Sequence, residues 1–268
     1  MSGAFHDQVV IVTGASGGIG EQIALQLAAQ GARLALAARR AEELNRVSRL
    51  CVEAGGATII VPTDVGDAAS CQDLVARTVA QYGRVDMLVN NAGLGMWSRA
   101  EDVSDLTVFE RVMRVNYLGA VYCTLAALPY LRATKGRILC ISSLAGRTGV
   151  PLRSGYSASK HAMAGFFDSL RIELSGSGVS VTLSDPGFVG TGAQGRNLSA
   201  TGQPLGHVPI DMAAAMAPAE CARQSIAAAA GRKRELVMTA RAKIGLWLKL
   251  IAPGFVDGMA AKATATGK

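Results

Sequence analysis

Apolar residues along this chain come in short runs set between longer amphipathic stretches. Val9-Val10-Ile11-Val12 is a β-branched run that stops at Thr13-Gly14, and Gly20 to Ala28 follows with helical spacing and good helix formers. The alternation returns with apolar runs at Leu34–Ala38, Thr58–Val61, Val85–Val89, Ile138–Ile141, Val179–Leu183 and Leu236–Met238. Each intervening segment is long enough to hold a crossover helix. Continuous apolar strands bounded by Gly, Asp and Pro are buried on both faces, which requires a parallel sheet covered by helices on each side. The pattern predicts an α/β chain built on one doubly wound parallel sheet of seven strands. Ligands of such sheets bind beyond the carboxyl ends of the strands, so the residues just after each run are where chemistry is expected.

Composition narrows the reading. A chain of 268 residues that is 50% hydrophobic and 18% charged can bury a sizeable core and is neither disordered nor fibrous. The five cysteines, Cys51, Cys71, Cys123, Cys140 and Cys221, are scattered without CxxC spacing, which argues against a zinc site or a disulfide framework and for a reducing, cytoplasmic setting. No metal site is expected. The first residues lack a signal-peptide pattern, and no apolar run reaches the roughly 18 residues of a spanning helix, so a soluble protein is expected. The net charge is +7, yet the residues up to Ala230 hold 19 basic and 18 acidic side chains, leaving 8 basic and 2 acidic from Gly231 onward. With the excess confined to the tail and no basic face interleaved with aromatics, nucleic-acid binding is not expected.

Thr13-Gly14-Ala15-Ser16-Gly17-Gly18-Ile19-Gly20 links the first strand to the first helix. Glycines permit a tight turn, and a helix N-terminus offers free N–H groups and partial positive charge, so Gly14, Ser16, Gly18, Ile19 and Gly20 form a candidate seat for a dinucleotide pyrophosphate. The same residues satisfy G-x-S-x-G, and Asp185 and His207 follow in the order of a hydrolase triad. A serine hydrolase on Ser16 is therefore the rival reading, weakened because only twelve residues precede Thr13 and no earlier strand can supply an oxyanion loop. The second strand ends in Ala38-Arg39-Arg40, where an NAD site would place a carboxylate on the ribose 2′-hydroxyl. A guanidinium there can grip a 2′-phosphate, so NADP(H) is favoured over NAD(H) with Arg39 as its ligand, and Arg40 reads as a solvated residue opening the next helix.

Tyr156 and Lys160 stand at i and i+4, on one helix face about 6 Å apart. A phenol exchanges protons at neutral pH only if a cation stabilises its phenolate, and each unit of downward shift takes about 1.4 kcal/mol. Lys160 can supply that field. Ser143, at the end of the Ile138–Ile141 run, lies where strand ends converge and can bond a substrate oxygen.

In this order the residues resemble the short-chain dehydrogenase/reductase family: TGxxxGxG at Thr13–Gly20, NNAG at Asn90–Gly93, Asn116 on a helix, Ser143, YxxxK at Tyr156–Lys160, and Pro186-Gly187 with Thr191 beyond. The resemblance covers Val9 to Thr239 and implies a Rossmann-like fold and a catalytic tetrad of Asn116, Ser143, Tyr156 and Lys160. Tyr156 would be the general acid in carbonyl reduction, Ser143 would hold the oxygen, Lys160 would also bind the nicotinamide ribose, and Asn116 would hold a water that reloads the proton. Asp64 and Val65 would meet the adenine, although Asp64 could equally cap a helix. Asn91, Ala92 and Gly93 would line the adenosine ribose, and Pro186, Gly187, Val189 and Thr191 the nicotinamide. Gly17 stands where many NADP-preferring relatives carry a basic residue, which leaves the preference to Arg39 with help from Ser16. A homodimer or homotetramer through the helices carrying Asn116 and Tyr156 is implied as well.

Residues 1–239 read as one dinucleotide-binding and catalytic domain, with a Gly/Pro-rich lid over 188–218 that contains His207, and 240–268 as a basic, apolar extension. Met96 and Trp97 could wall a pocket for an apolar carbonyl or alcohol. In the extension Ile244, Trp247, Leu248 and Ile251 share a helical face with Leu246 and Leu250 opposite, so cover by the lid, a second subunit or an anionic membrane surface is expected. A nucleotide-binding protein of this fold without turnover is the remaining alternative.

Overall fold

In the computed structural model, which describes residues 4–208 and 215–265, all seven apolar runs lie in one parallel sheet. Its strands are β1 (Val9–Thr13), β2 (Arg33–Ala38), β3 (Ala57–Pro62), β4 (Met87–Asn90), β5 (Arg137–Ile141), β6 (Ser180–Asp185) and β7 (Glu235–Val237), in the order β3-β2-β1-β4-β5-β6-β7. Ends differ from the apolar runs by a few residues because pairing sets them. Asp86 leaves the apolar Val85–Val89 run by bonding both ways to Val9, its amide to the carbonyl at 2.8 Å and its carboxylate to the amide at 2.9 Å.

Both faces of the five inner strands are buried, the edge strands β3 and β7 only partly, and alternate side chains go to different cores. Val10 and Val12 join Leu34, Leu36, Met87 and Val89 beneath α1 (Gly18–Ala28), α2 (Ala41–Glu53) and α7 (Pro218–Ala230). Ile11 joins Ala35, Ala37, Leu88 and Ile138 under α3 (Ala68–Tyr82), α5 (Gly119–Thr134) and α6 (Ser154–Glu173), where Phe167 fills the centre. All five cysteines are free and buried.

From β1 the chain winds outward through β2 and β3, then returns to the other side of β1 as β4. Connections after β1 and β4 therefore leave in opposite directions and open a crevice at the carboxyl ends of these strands, the place where doubly wound sheets bind ligands. One wall carries an irregular helix: α4 (Thr107–Met113) passes through a π turn at Arg114–Leu118, centred on Asn116, into α5. Such a turn puts a main-chain carbonyl out of the ordinary ladder and often marks a functional position.

The chain ends in α8 (Ala240–Ile251) and α9 (Pro253–Ala265), packed mainly on each other. Lys249 donates to the Arg147 carbonyl at 2.9 Å, and Arg147 is itself paired with Asp185 at 3.0 Å. The expected cover over α8 is not supplied by the described residues: Ile244, Trp247, Leu250 and Ile251 are 65%, 75%, 75% and 82% exposed. Leu250 thus belongs with the exposed stripe, while Leu246 and Leu248 are partly buried, the reverse of the expected face for Leu248. No helix among the described residues is long and apolar enough to cross a membrane.

Candidate active site

A cleft of about 380 Å³ runs along the carboxyl ends of β1, β4, β5 and β6. The predicted residues Gly14, Ser16, Gly18, Ile19, Arg39, Asp64, Val65, Asn91, Ala92, Gly93, Ser143, Tyr156, Lys160, Pro186, Gly187, Val189 and Thr191 all line it. Gly20 and Asn116 do not.

The glycine end is built from main chain. At Gly14, φ is +66° and a Cβ would meet the Ala92 Cα at 2.8 Å, so the turn demands glycine twice over. Gly20 is required by packing: a Cβ there would collide with the Asn91 side-chain Nδ2 and the Gly14 carbonyl oxygen. Gly17 faces open cleft, and α1 begins behind it without a side-chain cap, leaving its first N–H groups to the cleft. A hydroxyl staple fixes this end. Thr13 Oγ1 accepts from the Asn91 and Ala92 amides at 3.0 and 3.1 Å and donates to the Val89 carbonyl, while Asn91 Nδ2 donates to the Thr13 carbonyl at 2.9 Å.

Three guanidiniums gather beside Ser16. Arg39 and Arg40 follow β2, and Arg40 reaches the Ser16 hydroxyl at 3.4 Å, so Arg40 belongs to the cleft and is more than a solvated helix opener. Arg196, which the sequence gave no reason to select, arrives from the segment after β6 and also lines the cleft. Burial and repulsion from Arg40 and Arg39 hold Arg196 below its ordinary value. Such a cluster, opposed by Glu43, fits a phosphate. Asp64 lines the cleft too, but its carboxylate accepts from the Gly66 amide at 2.9 Å, and the cap of α3 is Asp67, which accepts from Ala69 and Ser70 at 3.2 Å each.

The tyrosine end is built from side chains. Lys160 Nζ is buried, donates to the Ile141 carbonyl at 2.9 Å, and lies 5.9 Å from the centre of the Tyr156 ring, close to the separation expected from the helix. Ser143 starts the turn after β5, where its Oγ accepts from the Ala145 amide at 3.2 Å, and it lines the same cleft as Tyr156. Burial alone would push that phenol up. The charges of Lys160 and Arg153, with hydrogen bonds from Ser143 and Arg153, outweigh burial and hold it below its ordinary value. Arg153 was not selected from the sequence, although its i, i+3 spacing to Tyr156 could have found it.

Asn116 is wholly buried, and its side chain acts as a strut. Its Oδ1 accepts from Leu94 at 2.7 Å and its Nδ2 donates to the Leu94 carbonyl and Ser159 Oγ, each at 2.9 Å. Met96 is core, whereas Trp97 lines the cleft against Phe188 with ring centres 6.3 Å apart. His207 is exposed and bonded to the Leu205 carbonyl at 3.1 Å. With His207 there, Asp185 on Arg147 and Ser16 beside Arg40, the hydrolase triad is not assembled. Of the expected lid, residues 209–214, including Pro209, lie outside the described residues.

Residues 8–201 match the family described as short chain dehydrogenase. The chain belongs to this family. It is 36% identical to 11-beta-hydroxysteroid dehydrogenase 1A of Arabidopsis thaliana over 259 residues, 94% of this chain and 74% of that protein. It is 37% identical to the dehydrogenase/reductase SDR family protein 7-like of Anopheles gambiae over 255 residues, 92% of this chain and 80% of the other. Among solved structures, the alcohol dehydrogenase of the archaeon Thermococcus sibiricus, complexed with 5-hydroxy-NADP, superposes with a TM-score of 0.73 at 29% identity, covering 86% of this chain and 95% of that one. This short-chain dehydrogenase is thus an oxidoreductase by family, and its tyrosine, lysine and serine meet in one cleft.

Proposed function

We propose that this chain moves hydride between NADP(H) and a carbonyl or secondary alcohol carried on an apolar substrate, with Tyr156 as general acid and base. The observation that carries the reading is the convergence of Ser143, Tyr156 and Lys160 at the end of a cleft whose other end is a glycine turn ringed by arginines. A nicotinamide coenzyme seated along the cleft supplies the hydride chemistry. The α1 N–H groups would hold its pyrophosphate and Arg39, Arg40 and Arg196 a 2′-phosphate, which supports NADP(H) over NAD(H). Ser143 and Tyr156 would bind the substrate oxygen. In reduction Tyr156 gives its proton to that oxygen; in oxidation its phenolate takes one back, and the cation on Lys160 favours the phenolate. Trp97 and Phe188 would wall the apolar part of the substrate. Tyr156→Phe, assayed by NADPH depletion across ketones of increasing bulk and by NADPH fluorescence on binding, should lose turnover and keep coenzyme affinity. Retained turnover rejects the assignment.

A second reading concerns location. The exposed Ile244, Trp247, Leu250 and Ile251, continued by Phe255 at 62%, lie in a segment rich in Lys and Arg, which supports contact with an anionic membrane surface. The full chain should float with anionic vesicles and not with neutral ones; failure on both removes the idea. We read 1–239 as the catalytic domain, 240–268 as this appended segment, and the five free cysteines as fitting a reducing compartment such as the cytoplasm. A homodimer or homotetramer is retained from the family resemblance.

A further inference from the structure

Arg153 stands just before α6, three residues ahead of Tyr156, and its guanidinium carbon lies 4.2 Å from the centre of the Tyr156 ring. The Trp97 and Phe188 rings each lie 5.6 Å from the same carbon, so the cation is framed by three aromatic faces in the cleft wall. No ion pair with a carboxylate forms on it among the described residues, and its buried Nε–H has no acceptor. A partly buried guanidinium without a counter-ion, its Nε–H closed off from water, gains from whatever negative charge forms beside it.

We propose that Arg153 is a second cation of the proton-transfer centre, acting on the Tyr156 oxygen from the Trp97–Phe188 wall while Lys160 acts from the interior. The inference rests on the reading of Tyr156 as the acid and base. Charges facing the phenol come from Lys160, further along α6, and Arg153 at its start. The turn after β5 contributes only the neutral Ser143, and α4 packs nearby through apolar Val108, Phe109 and Val112. No carboxylate among the described residues bears on it. Burial lowers Arg153 while the Tyr156 phenolate raises it, the reciprocal sign expected if each stabilises the other's charged form. Two cations on one phenol favour the state in which the proton has left, which is where charge develops when a carbonyl is reduced.

The test needs no substrate. Tyrosinate absorbance is titrated for the full-length protein and for Tyr156→Phe, whose difference isolates one of the five tyrosines, and then for Arg153→Met and Arg153→Lys. The isolated phenol should titrate below the ordinary value of about 10. Arg153→Met should raise the midpoint by about one pH unit, the effect of losing one nearby cation, and Arg153→Lys should recover most of that shift. Should the Met variant not fold by circular dichroism, Arg153→Gln carries the same measurement. A midpoint that stays put in a folded charge-free variant overturns the proposal and leaves Arg153 a mere wall. If instead the parent shows no phenol titrating below the ordinary value, the reading of Tyr156 fails first and takes this one with it.

Discussion

At its glycine end the cleft presents main chain, and at its tyrosine end it presents side chains. The first is fixed by close approach: Gly14 against Ala92, Gly20 against Asn91, and the Thr13 hydroxyl across two connections. Nothing there needs to change charge. The second end is fixed by field, with a partly buried phenol between Lys160, Arg153 and the Ser143 hydroxyl, all biasing one proton. Substitutions at the glycine end should therefore alter binding and folding, and those at the tyrosine end should alter rate and pH dependence. Positive charge also differs in kind. Arg39, Arg40 and Arg196 repel one another at the edge of the cleft and suit an incoming anion, whereas Lys160 and Arg153 face a group that becomes anionic only during reaction.

The sharpest way to break this division is Tyr156→Phe, for which turnover should fall by about 10³ or more while NADPH affinity changes less than about threefold. Parallel losses in both would show the two ends to be one unit. Next, Arg39→Asp should weaken NADPH by about 10 to 100-fold and leave NADH nearly untouched, read by fluorescence titration of each coenzyme. An unchanged preference would locate discrimination elsewhere. Thr13→Val strands two main-chain N–H groups without their acceptor and should cost about 1–3 kcal/mol in urea denaturation, with rate at saturating coenzyme little changed. The smallest folding effect is expected far from the cleft: Trp247→Ser, at a residue 75% exposed, should change stability by less than about 0.5 kcal/mol yet reduce flotation with anionic vesicles. A large loss of stability there would mean that α8 packs in solution against something this chain alone does not supply.

The seven strands were legible because a strand buried on both faces has to be apolar throughout, and no compensating feature elsewhere can hide that. Tyr156, Lys160 and Ser143 were legible because helix spacing and strand ends place them locally. Asn116 was found by motif, but the bonding of its amide to Leu94 and Ser159 was not legible, since it depends on how α4 joins α5 through the π turn. Arg196 carried no local signal, because its meeting with Arg39 and Arg40 joins segments more than 150 residues apart. Leu250 was placed on the wrong face because a helix in isolation does not say which side its neighbour, α9, will take.

What the chain determined by itself was periodicity and local spacing: a sheet buried on both sides, a glycine turn before a helix, and a phenol one helical turn from an ammonium. These follow from covalent geometry and short-range contact. What only the tertiary structure decided was charge environment, because a guanidinium's effect depends on its distance from another group and on how much water lies between them. Packing brought Arg153 among Tyr156, Trp97 and Phe188 and brought Arg196 to Arg39, and both relations arise from close approach between distant parts of the chain.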